Sequence, residues 1–268
     1  MIKLEDVHFR YPNGPEAIRS VTLEIGRGEF IGVIGHSGAG KTTLAKLIAG
    51  LLKPTQGRVL VDGLDTRRVP ASTLARKVGY VFQNPEMMIF SATIYDEVSF
   101  ALRNMGLPND EIAMRVQEAL KVVDLNKPLD HSPHALSFGE KRRLAIACIL
   151  AMKPEVLILD EPTTGLDYSR SLVLFEALSQ LHKSGGTVIV ITHDTDLLAR
   201  FASRILVLRE GVVVSDSAAE DVLSDVEFLK SQGFIPTQLQ LLASKLGVRR
   251  PRADAVAEAV ASRFEVRV

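Results

Sequence analysis

Five apolar residues, Phe30-Ile31-Gly32-Val33-Ile34, run straight into Gly35-His36-Ser37-Gly38-Ala39-Gly40-Lys41-Thr42-Thr43. Beyond that loop Leu44, Leu47, Ile48 and Leu51 recur at helical spacing until Lys53-Pro54 closes the helix. A buried strand, a glycine-rich turn and an amphipathic helix in this order admit few folds. The glycines let successive backbone N–H groups turn inward around anionic oxygens, and the helix N-terminus adds partial positive charge. A lysine at the mouth of such a nest pairs with phosphate, and the hydroxyl after it suits a hard divalent cation.

The remaining chain fits the same layout. Lys3 to Phe9 and Ile18 to Ile25 read as strands about the turn Pro12-Asn13-Gly14-Pro15. Residues from about Ile94 to Met152 follow a helical period, as in Ile112, Val116, Leu120 and Val123. Val156 to Leu159 and Thr187 to Thr192 are short apolar runs separated by a helical stretch, which predicts a parallel sheet with crossover helices. Beyond about Val222 the pattern is helical, broken at Gly233-Phe234-Ile235-Pro236 and at Gly247 to Pro251.

Composition removes several function classes. The 268 residues carry 32 Lys and Arg against 32 Asp and Glu, so the cationic surface of a nucleic-acid binder is not expected. The longest uncharged apolar run, Leu144 to Met152, falls well short of the roughly 20 residues of a spanning helix. The start, Met-Ile-Lys-Leu-Glu-Asp, has no signal-peptide pattern. The single Cys148 lies in an apolar run and reads as a core residue in a reducing compartment.

Three further positions complete a phosphate-handling site. Gly35 to Thr42 has the spacing of the P-loop, in which Lys41 bridges the β- and γ-phosphates and Thr42 ligates Mg²⁺. The strand Val156 to Leu159 ends in Asp160-Glu161, at the sheet edge where such ligands bind. Asp160 is the candidate Mg²⁺ residue and Glu161 the candidate that polarises the attacking water. His193, at the end of the next apolar strand, is placed to stabilise charge on a γ-phosphate. His131 and His134 lack a third ligand and read as loop residues.

Leu136-Ser137-Phe138-Gly139-Glu140 narrows the reading. With it, the chain resembles an ABC-type ATPase, the nucleotide-binding subunit of an ATP-binding-cassette transporter, over about Met1 to Asp216. In that resemblance Leu136 to Asp167 holds the signature, Walker B and D-loop. Gln83 is the Q-loop residue that senses Mg²⁺ and γ-phosphate, Tyr11 stacks on adenine, and His193 is the switch histidine. Ser137 and Gly139 are the signature positions that contact an opposing nucleotide. The family's usual signature is Leu-Ser-Gly-Gly-Gln, and Phe138 and Glu140 depart from it. Val81-Phe82-Gln83-Asn84-Pro85-Glu86, Asp96-Glu97-Val98-Ser99-Phe100 and the Gly233-to-Pro236 break are similar to the energy-coupling-factor subgroup, which powers uptake of vitamins, cobalt or nickel.

The resemblance implies an α/β cassette of the P-loop NTPase kind, with an antiparallel β subdomain, an inserted helical subdomain and a small helical C-terminal extension. The expected limits are 1–221 for the ATPase domain, about 84–153 for the insertion and 222–268 for the extension. It also implies ATP and Mg²⁺ as cofactors, and a second ATPase subunit, identical or related, sharing the active site. Integral membrane transporter components are implied as partners, with the chain peripheral on the cytoplasmic face of the membrane. Met87, Met88, Ile89 and Phe90 are expected to seat a partner helix, with Asp96 and Glu97 pairing partner arginines. Leu239, Leu241, Leu242 and Leu246 form a stripe expected to favour subunit pairing. The alternatives are ABC ATPases acting on DNA or on the ribosome. The first kind carries long coiled coils between P-loop and signature, whereas Thr42 and Leu136 are 94 residues apart. The second fuses two cassettes, and one is present here.

Overall fold

Strands β1 (Ile2–Arg10) and β2 (Glu16–Ile25) form an antiparallel pair joined through the Asn13-Gly14 turn. The chain then enters β3 (Phe30–Gly35) and α1 (Lys41–Ile48), and returns as β4 (Gln56–Val61) and β5 (Leu64–Asp65). Strands β1, β2, β4 and β5 build one antiparallel sheet, ordered β2-β1-β4-β5. This computed structural model describes residues 1–249 and 251–264; residue 250 and residues 265–268 of the expected extension lie outside the described residues.

A short helix α2 (Ala71–Ala75) leads to β6 (Val78–Val81). Three helices follow, α3 (Ile94–Asn104), α4 (Asn109–Val122) and α5 (Phe138–Ala151), packed on one another through Val98, Leu102, Ile112, Val116, Leu144 and Ala147. Then come β7 (Val156–Asp160), α6 (Tyr168–Lys183), β8 (Thr187–Ile191), α7 (Thr195–Phe201), β9 (Arg204–Arg209) and β10 (Val212–Ala218). The main sheet has the order β10-β9-β3-β8-β7-β6 and is parallel except for β10.

The apolar runs of the sequence are explained by burial on both faces of this sheet. Along β7, Leu157 and Leu159 face the helical side, while Val156 and Ile158 face α1 and the antiparallel sheet. Register sets Leu159 beside Val190 and Val81, and Asp160 beside Ile191. The carboxyl ends of β3, β7 and β8 therefore open on one edge, at the N-terminus of α1.

The chain ends in α8 (Ala219–Ser224), α9 (Val226–Ser231), α10 (Gln238–Leu246) and α11 (Ala253–Phe264). Helix α8 spans residues 221 and 222 and buries Ala219, Val222 and Leu223 in the core. On α10 the buried positions are Gln240 and Ala243, while Leu241 and Leu242 face outward. The inward face of α10 is thus carried by Gln240 and Ala243, and Gln240 also closes a capping box with Thr237.

Candidate functional site

Tyr11, Ser37 to Thr43, Gln83, Asp160, Glu161 and His193 line one cleft of about 310 Å³ at the carboxyl edge of the main sheet. The glycines of the loop have specific reasons. Gly40 caps α1 at φ 102°, and a Cβ there would lie 2.6 Å from the Ala17 carbonyl oxygen. Gly35 leaves room for the Leu208 carbonyl, which any side chain would strike.

Lys41 is buried, and its ammonium donates to the Gly35 carbonyl (2.6 Å) and the His36 carbonyl (2.9 Å). Burial pulls its pKa down, opposed by the charges of Glu161 and Asp160. Thr42 Oγ1 donates to Asp160 Oδ2 at 2.6 Å, so the loop and the strand end meet through one hydroxyl. Thr43 Oγ1 lies 3.2 Å from the Tyr11 hydroxyl, and the Tyr11 ring packs edge-on against Phe9.

Glu161 follows β7 in a left-handed conformation, φ 50°, uncommon for a residue with a side chain. Its amide donates to the Ile191 carbonyl at 2.8 Å, which holds the bend. Burial pushes its carboxyl up to about 6, with the Asp160 charge adding to the rise and Lys41 opposing it. Its Oε1 lies 3.1 Å from His193 Nε2 but without the alignment of a hydrogen bond. Burial, and then Lys41, pull the His193 pKa down. A neutral imidazole beside a mostly ionised carboxylate is the resulting state at pH 7, rather than a salt bridge.

Gln83 is exposed at the cleft mouth, and its backbone is held from behind. The fully buried Arg142 of α5 donates to the Phe82 carbonyl (2.9 Å) and to the Gln83 carbonyl, and its guanidinium lies over the Phe138 ring. Tyr80 on β6 is the other residue sequence reasoning passed over. Its hydroxyl donates to Asp160 Oδ2 at 3.2 Å, and burial with the Asp160 charge keeps that proton in place. Neither carried a clear signal: Tyr80 reads as an apolar strand residue, and Arg142 is one of three basic residues in a row.

Four of the expected residues lie off the cleft lining. Gly35 forms the loop's base, and His36 turns outward. Ser137 and Gly139 belong to the start of α5. There Ser137 and Glu140 form a capping box, with the Ser137 hydroxyl and amide donating to Glu140 Oε2 at 2.8 and 2.9 Å. These bonds and Lys127 hold the Glu140 carboxyl down at about 2. Phe138 rests against Gly165, where any Cβ would lie 2.8 Å from the ring, and remains 43% exposed.

The acids expected to meet a partner are engaged within the chain. Glu97 is buried and accepts from the Phe90 and Ser91 amides (3.0 and 2.6 Å), fixing the loop before α3. Asp96 pairs with Arg103 at 2.7 Å and caps that helix with Thr93. Ile89 is buried, whereas Met87 (68%) and Phe90 (59%) are exposed. Among the described residues no helix is long and apolar enough to cross a membrane, and no cluster of three His, Cys, Asp or Glu forms a metal cage.

The sequence profile of the ABC transporter family matches residues 18–164. The energy-coupling factor transporter ATP-binding protein EcfA of Methanothermobacter thermautotrophicus is 41% identical over 86% of this chain and 75% of its own length. The solved structure of cbiO1 from Clostridium perfringens, part of the ABC transporter complex cbiONQ, is similar at TM-score 0.74 and 39% identity, covering 86% of this chain and 93% of that one. A dimeric ATP-binding cassette in a post-hydrolysis state with ADP and Pi is similar at TM-score 0.76 and 34% identity, covering 82% and 99%. The chain spans only 42% and 43% of the length of two other curated relatives, from Methanosarcina acetivorans and Caldanaerobacter subterraneus. With the phosphate loop, Asp160-Glu161 and His193 gathered in one cleft, these similarities make the chain a member of the ABC transporter ATP-binding family.

Proposed function

We propose that this chain binds and hydrolyses Mg-ATP to energise an importer of the energy-coupling-factor type, for a vitamin or a cobalt or nickel ion. The carrying observation is the 2.6 Å bond from Thr42 to Asp160, with Lys41 and Glu161 in the same cleft. A hydroxyl and a carboxylate are hard oxygen donors that suit Mg²⁺, and that ion normally takes its remaining ligands from phosphates and water. Thr42, Asp160 and the Gln83 side chain would hold the ion, which neutralises charge on the β- and γ-phosphate oxygens.

The chain's own groups divide the remaining work. Lys41 exchanges its loop carbonyls for phosphate oxygens, and the loop amides of Ser37 to Thr43 cradle the polyphosphate. Tyr11 stacks on adenine. Glu161, mostly ionised at pH 7 in the nucleotide-free chain, accepts a hydrogen bond from the attacking water and orients it. Neutral His193 donates toward the γ-phosphate. Ser137 and Gly139, outside this cleft, close the site of a second subunit, identical or related. The exposed Met87 and Phe90 face the integral membrane components, with the chain peripheral on the cytoplasmic side.

The assembly is tested by turnover against concentration. A shared site makes hydrolysis per chain rise with protein concentration as dimers form. A constant specific rate from a demonstrably monomeric chain overturns it.

A further inference from the structure

His36, the second residue of the phosphate loop, points away from the cleft and meets the C-terminal extension. Its Nε2 lies 2.7 Å from the Gln232 carbonyl oxygen, so that nitrogen carries the proton. The imidazole also lies parallel to the Phe234 ring, centroids 5.5 Å apart and planes 13° apart. Between them Gly233 adopts φ 76°, and any Cβ there would run into the imidazole. The turn is built, not incidental. The Gly233 amide donates to Lys230 (2.8 Å), the Phe234 amide to Leu229 (2.9 Å), and Leu229 is buried in the core. Arg209 at the end of β9 reaches the Gln232 side chain at 3.4 Å.

The same residue works on the other side through its backbone. The His36 carbonyl accepts from Lys41 Nζ at 2.9 Å and from the Ala39 amide at 3.1 Å. One residue therefore holds the loop's ammonium on its carbonyl and the extension on its ring. We propose that Gln232 and Phe234 are positioning residues for the phosphate loop, acting through His36, so that docking of the extension and nucleotide binding favour each other. The inference rests on the ATP reading of the cleft. A loop with glycines at 35, 38 and 40 loses much conformational freedom when it closes on phosphate. Contacts on the outer side of the nest do not compete with the ligand and fix part of that freedom beforehand. Reciprocity then requires nucleotide to tighten the extension by the same factor.

The test is titration of the full chain with a non-hydrolysable Mg-ATP analogue. An aromatic contact of this kind corresponds to a loss of about three- to tenfold in affinity for Phe234→Ala. Phe234→Tyr, which keeps the ring, and Ile235→Ala, at the 94% exposed neighbour, should stay within about twofold of the wild type. Phe234→Ala combined with His36→Ala should bind no more weakly than the worse single variant, because both remove one contact. A second readout needs no variant: amides of residues 226–246 should exchange more slowly in the wild type once the analogue binds. Unchanged affinity in Phe234→Ala, additive losses in the double variant, or exchange indifferent to the analogue overturns the proposal. A folded wild type that binds no nucleotide removes the ATP reading itself, and with it this inference.

Discussion

Replacing Glu161 by Gln separates stability from turnover in a way that follows from the site. Burial raises this carboxyl from 4.5 to about 6, and only 13% of its side chain is exposed. A carboxyl raised on folding binds more protons in the folded chain, so its contribution favours folding at low pH and is lost as pH rises through about 6. Keeping the group ionised in the fold at pH 7 costs about 2 kcal/mol relative to the unfolded chain. At pH 5, where the folded group is mostly protonated, the cost falls to about 1 kcal/mol. Glu161→Gln removes the charge, so the variant should be about 2 kcal/mol more stable at pH 7 and melt about 4 °C higher, while hydrolysing ATP far more slowly. Urea unfolding at pH 7 and pH 5 measures the gap, and phosphate release measures turnover. A variant no more stable than the wild type at pH 7, or a gap that does not shrink at pH 5, would refute burial as the cause of the raised pKa. Turnover at the wild-type rate would refute the catalytic role.

Substituting Met87 and Phe90 with Asp should abolish association with the membrane components yet leave nucleotide affinity unchanged, since both side chains are exposed and outside the cleft; co-purification and titration check the two arms. Glu140→Gln keeps an oxygen for the capping box but gives up the charge that the Ser137 amide and Lys127 favour, so it should lose part of the roughly 1 kcal/mol that Glu140→Ala loses in urea unfolding at pH 7. Because the Glu140 carboxyl is held down at about 2, its contribution is fully present above about 4.5 and is lost as pH falls toward 2, which unfolding across that range measures.

The candidate site is legible in the sequence because its residues follow apolar strands. Phe30 to Ile34, Val156 to Leu159 and Thr187 to Thr192 each mark a buried strand, and the site residues lie where those runs stop. Contacts between distant segments left no such mark. Nothing near Tyr80 announces that its hydroxyl reaches Asp160, and nothing near Arg142 announces that its buried guanidinium donates to the Phe82 and Gln83 carbonyls. Asp96 and Glu97 read as acids awaiting a partner, yet Thr93 and Arg103 hold Asp96 while the Phe90 and Ser91 amides before α3 hold Glu97. On α10, spacing marks the leucine stripe, and Leu241 and Leu242 do face outward, but it gives no sign that Gln240 is buried.

The central claim, a phosphate nest organised around Lys41, is tested most directly by titrating Mg-ATP into the wild type and Lys41→Ala. Lys41 is the ammonium that lines the cleft, so its loss should weaken binding by about a hundredfold or more while the melting profile remains cooperative. Wild-type affinity in a folded Lys41→Ala chain would contradict the account.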